Sequence, residues 1–144
     1  MFMSLFGDAG RNGKSSLIAL LEKVFGGYIL DVAVPCLCCA DKEANKPNPN
    51  LYELMGKRLA ICSEIAPEDK LNTALIKRLT GQDTNKIRTL FGKCMGMVFR
   101  GLLLTTSNQL VNLSHVDHSV SDRLRMLKFE YSFRAVVRCN NMYK

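Results

Sequence analysis

The sequence predicts an α/β fold in which a mostly parallel five-stranded sheet is covered by helices on both faces. Five short apolar runs alternate along the chain with stretches of helical spacing, and strands interleaved with helices are typical of a parallel sheet with crossover connections. A glycine-rich loop joins the first apolar run directly to the first helical stretch. The prediction is a three-layer sandwich of helices, sheet and helices, and the 144 residues suffice for one domain.

The individual elements follow from this alternation. Phe2–Phe6 is apolar enough for a buried strand, and the leucines after Lys14 recur with helical spacing until Gly26 and Gly27 end the helix. The polar residues 40–50, rich in Pro and Asn, predict a loop. The other predicted elements are the strands Tyr28–Val34, Leu59–Cys62, Leu102–Ser107 and Leu124–Phe129, and a helix from about Asp69 to Leu79.

The stretch GDAGRNGKSS, residues 7–16, is typical of a phosphate-binding loop. Between a strand and a helix, Gly13-Lys14-Ser15 can direct backbone N–H groups at phosphates, place the lysine on the β- and γ-phosphates and offer the serine hydroxyl to Mg²⁺. Gly7, Gly10 and Gly13 are expected to permit positive φ. Asp8 stands where the G-x-x-x-x-G-K-[ST] pattern has its first glycine, so the loop is expected to be longer or distorted. A glycine-rich turn that ends in Lys-Ser by chance is the alternative. The predicted nucleotide-binding residues are Gly10, Asn12, Gly13, Lys14, Ser15 and Ser16.

Polar residues follow two other predicted strands, at the edge where parallel sheets bind ligands. Phosphoryl transfer to water needs a metal held between phosphates, a group that orients the water and a cation on the developing charge. Glu64 is predicted to help hold the metal with Ser15 and to polarise the water, while Asn108 would bridge the water and the γ-phosphate. Arg123 is a candidate arginine finger for a neighbouring subunit. Alone, a Glu or Asn at a strand end is more often a cap or turn residue, but the combination favours ATP hydrolysis. The predicted catalytic residues are Lys14, Glu64, Asn108 and Arg123, the predicted metal ligands are Ser15 and Glu64, and the cofactors are ATP and Mg²⁺.

The formal net charge of +7 is concentrated in one segment. Between Lys77 and Arg100, Asp83 is the single acid among six basic residues. Such a segment suits a polyanion, although a solvated helix face is the simpler interpretation of charge alone.

The remaining composition indicates an intracellular globular protein. No apolar run approaches the ~20 residues that span a bilayer, and the N-terminus lacks the basic flank and cleavage site of a signal peptide. Six cysteines without a secretory signal favour a reducing compartment. No membrane partner is expected.

The cysteine cluster Cys36–Cys39 raises the question of a metal site. Structural zinc sites usually combine two ligand pairs, and the histidines His115 and His118 lie far along the chain. Packing as small apolar groups is the favoured interpretation of these thiols, and the histidines are expected on a polar surface loop.

Four blocks besides the phosphate loop carry a resemblance to a known family: LYELMGKRLAICSEI, LNTALIKRLTGQDTNKIRTLF, LLLTTSNQL and DHSVSDRLRMLKFEYSF. They resemble the superfamily 3 helicase domain, an AAA+ ATPase, of poxvirus-type primase-helicases. The resemblance is strongest to those of nucleocytoplasmic large DNA viruses and related phages, and it runs from about Phe2 to Phe133. It implies a P-loop NTPase core of AAA+ type over residues 1–133, followed by a C-terminal extension, 134–144. The family has a primase domain and a helical collar upstream, so the chain is expected to be an isolated core, a split gene product or a fragment.

The resemblance also implies residue roles. Gly13, Lys14 and Ser15 match the Walker A motif, Glu64 the Walker B acid and Asn108 the sensor asparagine. Arg123 matches the last residue of a Trp-Arg-Arg block that supplies the finger. The block KRLTGQD, with Arg88, belongs to the family's DNA-facing region, which favours a sequence-independent phosphate contact over a solvated face. The predicted DNA-binding residues are Lys77, Arg78, Lys86 and Arg88.

Several positions depart from the family pattern. Gln82 replaces a glycine, Ser121 and Asp122 replace Trp-Arg, and no proline follows Asn108. Asp122 places a negative charge beside Arg123 with which it can pair.

These observations predict the core of an ATP-dependent DNA helicase or translocase that forms a ring, expected to be a hexamer, on single-stranded DNA. It would act in viral or phage-like replication with a primase and other replication proteins, in the host cytoplasm (virus factory) or nucleus. The alternative is a catalytically weakened or inactive DNA-binding or assembly fragment. A small-molecule kinase is less favoured, because no arginine lid is evident and the basic block would have no role.

Overall fold

The structure, a computed structural model, describes residues 1–8, 10–38, 49–88 and 94–133. The predicted C-terminal extension and most of the predicted loop at 40–50 therefore lie outside the described residues. In the described part of the chain, no helix is both long enough and apolar enough to cross a membrane. The strands are β1 (Phe2–Phe6), β2 (Ile29–Asp31), β3 (Leu59–Ile65), β4 (Lys70–Leu71), β5 (Asn85–Arg88), β6 (Cys94–Met97), β7 (Leu102–Ser107), β8 (Asn112–Leu113) and β9 (Leu124–Lys128), and the helices are α1 (Lys14–Phe25), α2 (Val34–Cys38), α3 (Pro49–Glu53), α4 (Thr73–Thr80) and α5 (His118–Ser121).

A five-stranded sheet with the order β2-β3-β7-β1-β9 forms the centre of the fold. Every pairing in it is parallel. Strand β1 lies between β7 and β9, with Phe2 opposite both Leu103 and Leu124. The predicted α/β fold is confirmed, and the arrangement is consistent with a P-loop NTPase-like fold. Because the strands are parallel, the carboxyl ends of β1, β3 and β7 meet at one edge of the sheet.

Helices cover the sheet on both faces, which explains why its strands are continuous apolar runs. On one face, α1 packs its Leu17, Ile18 and Leu21 against a buried cluster that includes Leu5 and Leu104. The opposite face carries the larger cluster. Its buried members come from β1, α2, α3, α4, the hairpin β5–β6 and neighbouring segments, and include Phe2, Leu37, Leu54, Leu75, Ile76, Leu79, Ile87 and Met97.

The second predicted helix begins later than the sequence pattern indicated. Lys70 and Leu71 form β4, which pairs in parallel with β8. The helix α4 begins only after Asn72, whose side chain accepts a hydrogen bond of 3.1 Å from the backbone N–H of Leu75. An asparagine cap of this kind satisfies one of the N–H groups that a helix start leaves open.

The second strand is also shorter than predicted. It covers only Ile29–Asp31, because a 3-10 turn at Gly26–Tyr28 precedes it and α2 begins at Val34. The predicted bounds of β1 and β7 are confirmed, and β3 and β9 differ from prediction only at their carboxyl ends.

Candidate functional site

The phosphate loop, residues 7–13, ends in a backbone conformation that prepares the start of α1 for an anion. Gly13 is the N-cap of α1 with φ of 90°, and no side chain caps the helix. The first N–H groups of a helix lack intrahelical partners and carry the positive end of the helix dipole. No acidic residue occupies the first turn. The start of α1 is therefore a suitable site for a phosphate group.

The glycines of the loop do not all have the predicted role. Among the described residues of the loop, positive φ occurs at Gly13 and at Arg11, whose φ is 60°. Gly7 does not use the positive φ that a glycine permits. Gly7 instead permits close packing, because a Cβ there would lie 2.6 Å from the carbonyl oxygen of Phe129.

This close approach explains the shifted glycine of the motif. The same Cβ on Gly7 would lie 2.7 Å from Nδ2 of Asn12, so a side chain at residue 7 would displace two neighbours. Asp8, the departure from the pattern, is exposed. The residue that must be glycine for steric reasons is therefore Gly7, one position before the first glycine of the motif, and Asp8 lies at the surface.

Lys14 crosses the loop from the start of α1. Its Nζ donates a hydrogen bond of 3.1 Å to the carbonyl oxygen of Gly7, and the residue is 9% exposed. Burial lowers the pKa of Lys14, although the Asp8 carboxylate nearby acts in the opposite direction. Since the hydrogen-bond acceptor is a neutral carbonyl, the ammonium charge remains available to an anionic ligand.

An open cleft of about 760 Å³ lies between α1 and the carboxyl ends of β3 and β7. It brings together four of the predicted site residues, Lys14, Ser15, Glu64 and Asn108. Its size lies in the range of ligand sites, roughly 300–1,000 Å³. Other polar residues of the lining are Glu22, Ser63, Thr106, Ser107 and Gln109.

Glu64 has an uncommon backbone conformation at the end of β3. Its φ is 59°, and the pairing of β3 with β7 shifts register between Cys62 and Ile65. The backbone N–H of Glu64 donates to Oγ1 of Thr106 at 3.4 Å. A bulge of this kind re-aims a side chain, and here the exposed carboxylate lines the cleft. Left-handed conformations of non-glycine residues concentrate at functional sites.

The cleft residues fit a magnesium ion bound together with a nucleotide. Among the described residues, no three His, Cys, Asp or Glu side chains are placed to hold a metal by themselves. Magnesium in nucleotide sites needs only one or two protein groups in addition to phosphates and water. Ser15 and Glu64 supply a hydroxyl and a carboxylate to the same cleft.

Arg123 lies away from the cleft, at the amino ends of the strands. The backbone N–H of Phe2, at the amino end of β1, donates to the carbonyl oxygen of Arg123 at 3.0 Å. The guanidinium donates to the carbonyl oxygen of Lys77 at 2.8 Å, and no ion pair with Asp122 is found among the described residues. Within one chain, therefore, the predicted finger is not brought to the cleft.

The predicted DNA-binding residues are placed on α4 and β5. Lys77 pairs with Asp117, and this hydrogen bond is the main reason why the pKa of Asp117 is lowered. Arg78 is half-buried and Lys86 is exposed, while Arg88 is the last residue of β5. Because Arg123 bonds to the main chain of Lys77, the predicted DNA contacts and the predicted finger share one contact region.

Sequence reasoning missed a segment that closes over the phosphate loop. We call residues 129–133 the strap. The N–H of Phe129 donates to Phe6 O at 2.7 Å, and the N–H of Phe133 donates to Arg11 O at 2.8 Å. Between them, Oγ of Ser132 donates to Gly10 O at 2.9 Å. The alternation of polar and aromatic residues in EYSF gave no signal of this contact.

No protein-family model matches the chain. The chain is similar to "Putative helicase 022R" of Frog virus 3 (isolate Goorha), with 27% identity over 130 residues that cover 86% of this chain and 13% of that protein. It is also similar to "Putative helicase L207/L206" of Acanthamoeba polyphaga mimivirus, with 28% identity over 127 residues that cover 87% of this chain and 13% of that protein.

A solved structure shows the same fold. The apo structure of the C-terminal region of NrS-1 superposes with a TM-score of 0.60 and 16% identity, over 100% of this chain and 31% of that one. The chain thus spans only a small part of the viral proteins and of the NrS-1 region.

Proposed function

We propose that this chain is the ATPase core of a superfamily 3 DNA helicase, which hydrolyses ATP to move along single-stranded DNA. The observation that carries the proposal is the cleft that unites Lys14, Ser15, Glu64 and Asn108 beside the uncapped start of α1. With a bound metal and a further cation, these groups would meet the needs of phosphoryl transfer to water.

Each cleft residue has a role that follows from its position. The backbone N–H groups at the start of α1 bind the phosphates, and Lys14 moves from Gly7 O to the β- and γ-phosphates. Bound Mg²⁺ supplies charge neutralisation between the phosphates, with Ser15 and Glu64 as the residues that hold it. Glu64 also orients and polarises the attacking water, and Asn108 holds that water against the γ-phosphate.

Arg123 completes the site from a neighbouring subunit. Its distance from the cleft within one chain leaves the neighbour's γ-phosphate as the target, which requires a ring or another repeating assembly. In the free chain its guanidinium donates a hydrogen bond to the carbonyl oxygen of Lys77. Assembly would replace this carbonyl oxygen by the neighbour's γ-phosphate as the acceptor. A cation that arrives only on assembly makes hydrolysis depend on protein concentration.

DNA contacts are assigned to the basic residues of α4 and β5. Lys86 is exposed and accessible to a phosphate backbone, and Lys77 can exchange the Asp117 carboxylate for a phosphate. Contacts of this type bind without sequence preference and weaken with salt. Bases of the strand would add little specificity to the interaction.

The test is ATP hydrolysis by the purified chain against protein concentration, with and without single-stranded DNA. We expect a rate per subunit that rises with both and vanishes in Lys14→Ala. Mixing Lys14→Ala with Arg123→Ala should partly restore hydrolysis, because wild-type finger and wild-type loop then meet across subunits. A flat zero in a folded wild-type chain would contradict the proposal for this chain, and absence of restoration would contradict the finger in trans.

A second candidate function is DNA binding without turnover. The observation that favours it is the Asp8 carboxylate, which lies close enough to Lys14 to affect its pKa and so opposes a triphosphate there. Salt-sensitive binding of single-stranded DNA without detectable hydrolysis would support this candidate. Asp8→Asn should then increase nucleotide affinity, because it removes the opposing charge while the side chain keeps its size.

A further inference from the structure

We propose that the ring of Phe133 is the surface on which the base of the bound nucleotide stacks. The inference rests on the proposed function and assigns a specificity-determining residue to the same site. It concerns the nucleoside half of the ligand, whereas the cleft residues concern its phosphates.

The strap holds Phe133 beside the phosphate loop. Three hydrogen bonds fix the strap to Phe6, Gly10 and Arg11, and the last of them belongs to the N–H of Phe133 itself. The position of the Phe133 backbone relative to the loop is therefore set by these hydrogen bonds of the strap.

The backbone of Phe133 is hydrogen-bonded to the phosphate loop, while its ring is largely open to water. It is 71% exposed, and its Cε2 atom lies 3.7 Å from the point where a Cβ on Gly13 would be. Because Gly13 has no side chain, no side-chain atom of residue 13 lies between the Phe133 ring and the backbone of the phosphate loop. An exposed aromatic ring held at a defined position gains stability when a flat apolar group covers it.

A nucleotide supplies such a group at this place. Gly13 directly precedes the N–H groups to which the proposed function assigns the phosphates, so a ring beside Gly13 is within reach of the nucleoside that those phosphates carry. Stacking uses the π-face that every base has, and it is tolerant of base identity. The ring would thus strengthen binding of ATP and GTP alike. Tyr131, 79% exposed on the same strap, is a second aromatic residue near this side of the loop.

The test compares a ligand that has a base with one that lacks it. Dissociation constants of Mg·ATP and of inorganic tripolyphosphate are measured by calorimetry for the wild type, Phe133→Ala and Phe133→Trp. We expect Phe133→Ala to weaken ATP binding roughly tenfold, as loss of one base–aromatic stack does, and to leave tripolyphosphate binding unchanged. Phe133→Trp should retain or exceed wild-type affinity for ATP.

Tyr28→Ala is the matched control, because Tyr28 is 60% exposed but lies at the opposite edge of the sheet. It should change neither constant. Thermal unfolding of each variant shows whether the strap still closes the loop, and the Trp variant keeps the inference testable if Phe133→Ala is unfolded.

Each other outcome overturns the inference. Equal weakening of both ligands by Phe133→Ala would show that the ring only shapes the loop. Unchanged ATP binding with a loss of single-stranded DNA binding would show that the ring stacks on a DNA base. If Lys14→Ala removes binding of both ligands while Phe133→Ala alters the binding of neither, the stacking role of Phe133 is refuted and the proposed function is not. If the folded wild type binds neither ligand, the proposed function fails with it.

Discussion

Replacing Glu64 by glycine should stabilise the chain and abolish hydrolysis at the same time. Glu64 has a φ of 59°, and its side chain is exposed at the cleft. The one hydrogen bond described for it comes from its backbone N–H to Thr106, which glycine retains. The substitution therefore removes backbone strain together with the carboxylate that we propose polarises the attacking water.

The magnitude follows from two opposing effects at residue 64. The left-handed conformation costs a residue with a Cβ roughly 1–2 kcal/mol, and glycine avoids this cost. Glycine also makes the unfolded chain more flexible, which costs roughly 0.5–1 kcal/mol. The free energy of unfolding should rise by roughly 0.5–1 kcal/mol, which is about 2–4 °C in Tm for a chain of this size.

The assay is urea unfolding of the wild type, Glu64→Gly and Glu64→Gln without nucleotide, together with ATP hydrolysis. Glu64→Gln keeps the strain and the side-chain size, so it should lose hydrolysis without gaining stability. The midpoint should rise only for Glu64→Gly, with the slope m unchanged. A glycine variant no more stable than the glutamine variant would refute the argument that the position is strained.

The other predictions concern the loop and the core. Gly7→Ala should lower the free energy of unfolding by roughly 1–3 kcal/mol because its Cβ overlaps Phe129 O, whereas Gly10→Ala, with open space around its Cβ, should change it by less than about 0.5 kcal/mol in the same denaturation assay. Lys14→Met should leave the ligand-free Tm unchanged or higher, since it ends the burial of a charge, but remove the stabilisation of about 2.7 kcal/mol that ATP at 100 times Kd gives the wild type. Burial raises the pKa of Cys62 from 9.0 to about 12. The stability that the protonated thiol contributes is therefore complete below pH 9 and is lost as the pH rises toward 12. Urea midpoints measured across this interval should fall more steeply for the wild type than for Cys62→Ala.

The sheet could be predicted because of how its strands are buried. A central strand of a parallel sheet packs on both faces, so the apolar run itself is the signal, as in Leu59–Cys62 and Leu102–Ser107. The hairpin β5–β6 was not predicted, since Asn85–Arg88 carries two charges and Cys94–Met97 contains a glycine. Strands of two residues, such as β4, owe their existence to their partner and leave no local pattern.

The candidate site divides in the same way. Gly13-Lys14-Ser15 is a local motif, and Glu64 and Asn108 follow from the rule that ligands bind at strand ends. The positive φ of Glu64 depends on the pairing of β3 with β7, which no local pattern encodes. The strap depends on a contact between Ser132 and Gly10, which are 122 positions apart. Long-range contacts of this kind are invisible to propensity and periodicity.

The position of β1 between two late strands determines when the site can form. Its partners β7 and β9 begin at Leu102 and Leu124, and the loop behind it is closed by the strap, still later in the chain. Pairing strands that are far apart in the sequence carries a large entropic cost of loop closure, and such pairings form slowly. During synthesis or refolding, the phosphate loop acquires its final shape only when the last strand has docked. A refolding chain should therefore first bind a nucleotide when folding is complete. The time at which a fluorescent nucleotide binds would report the completion of folding.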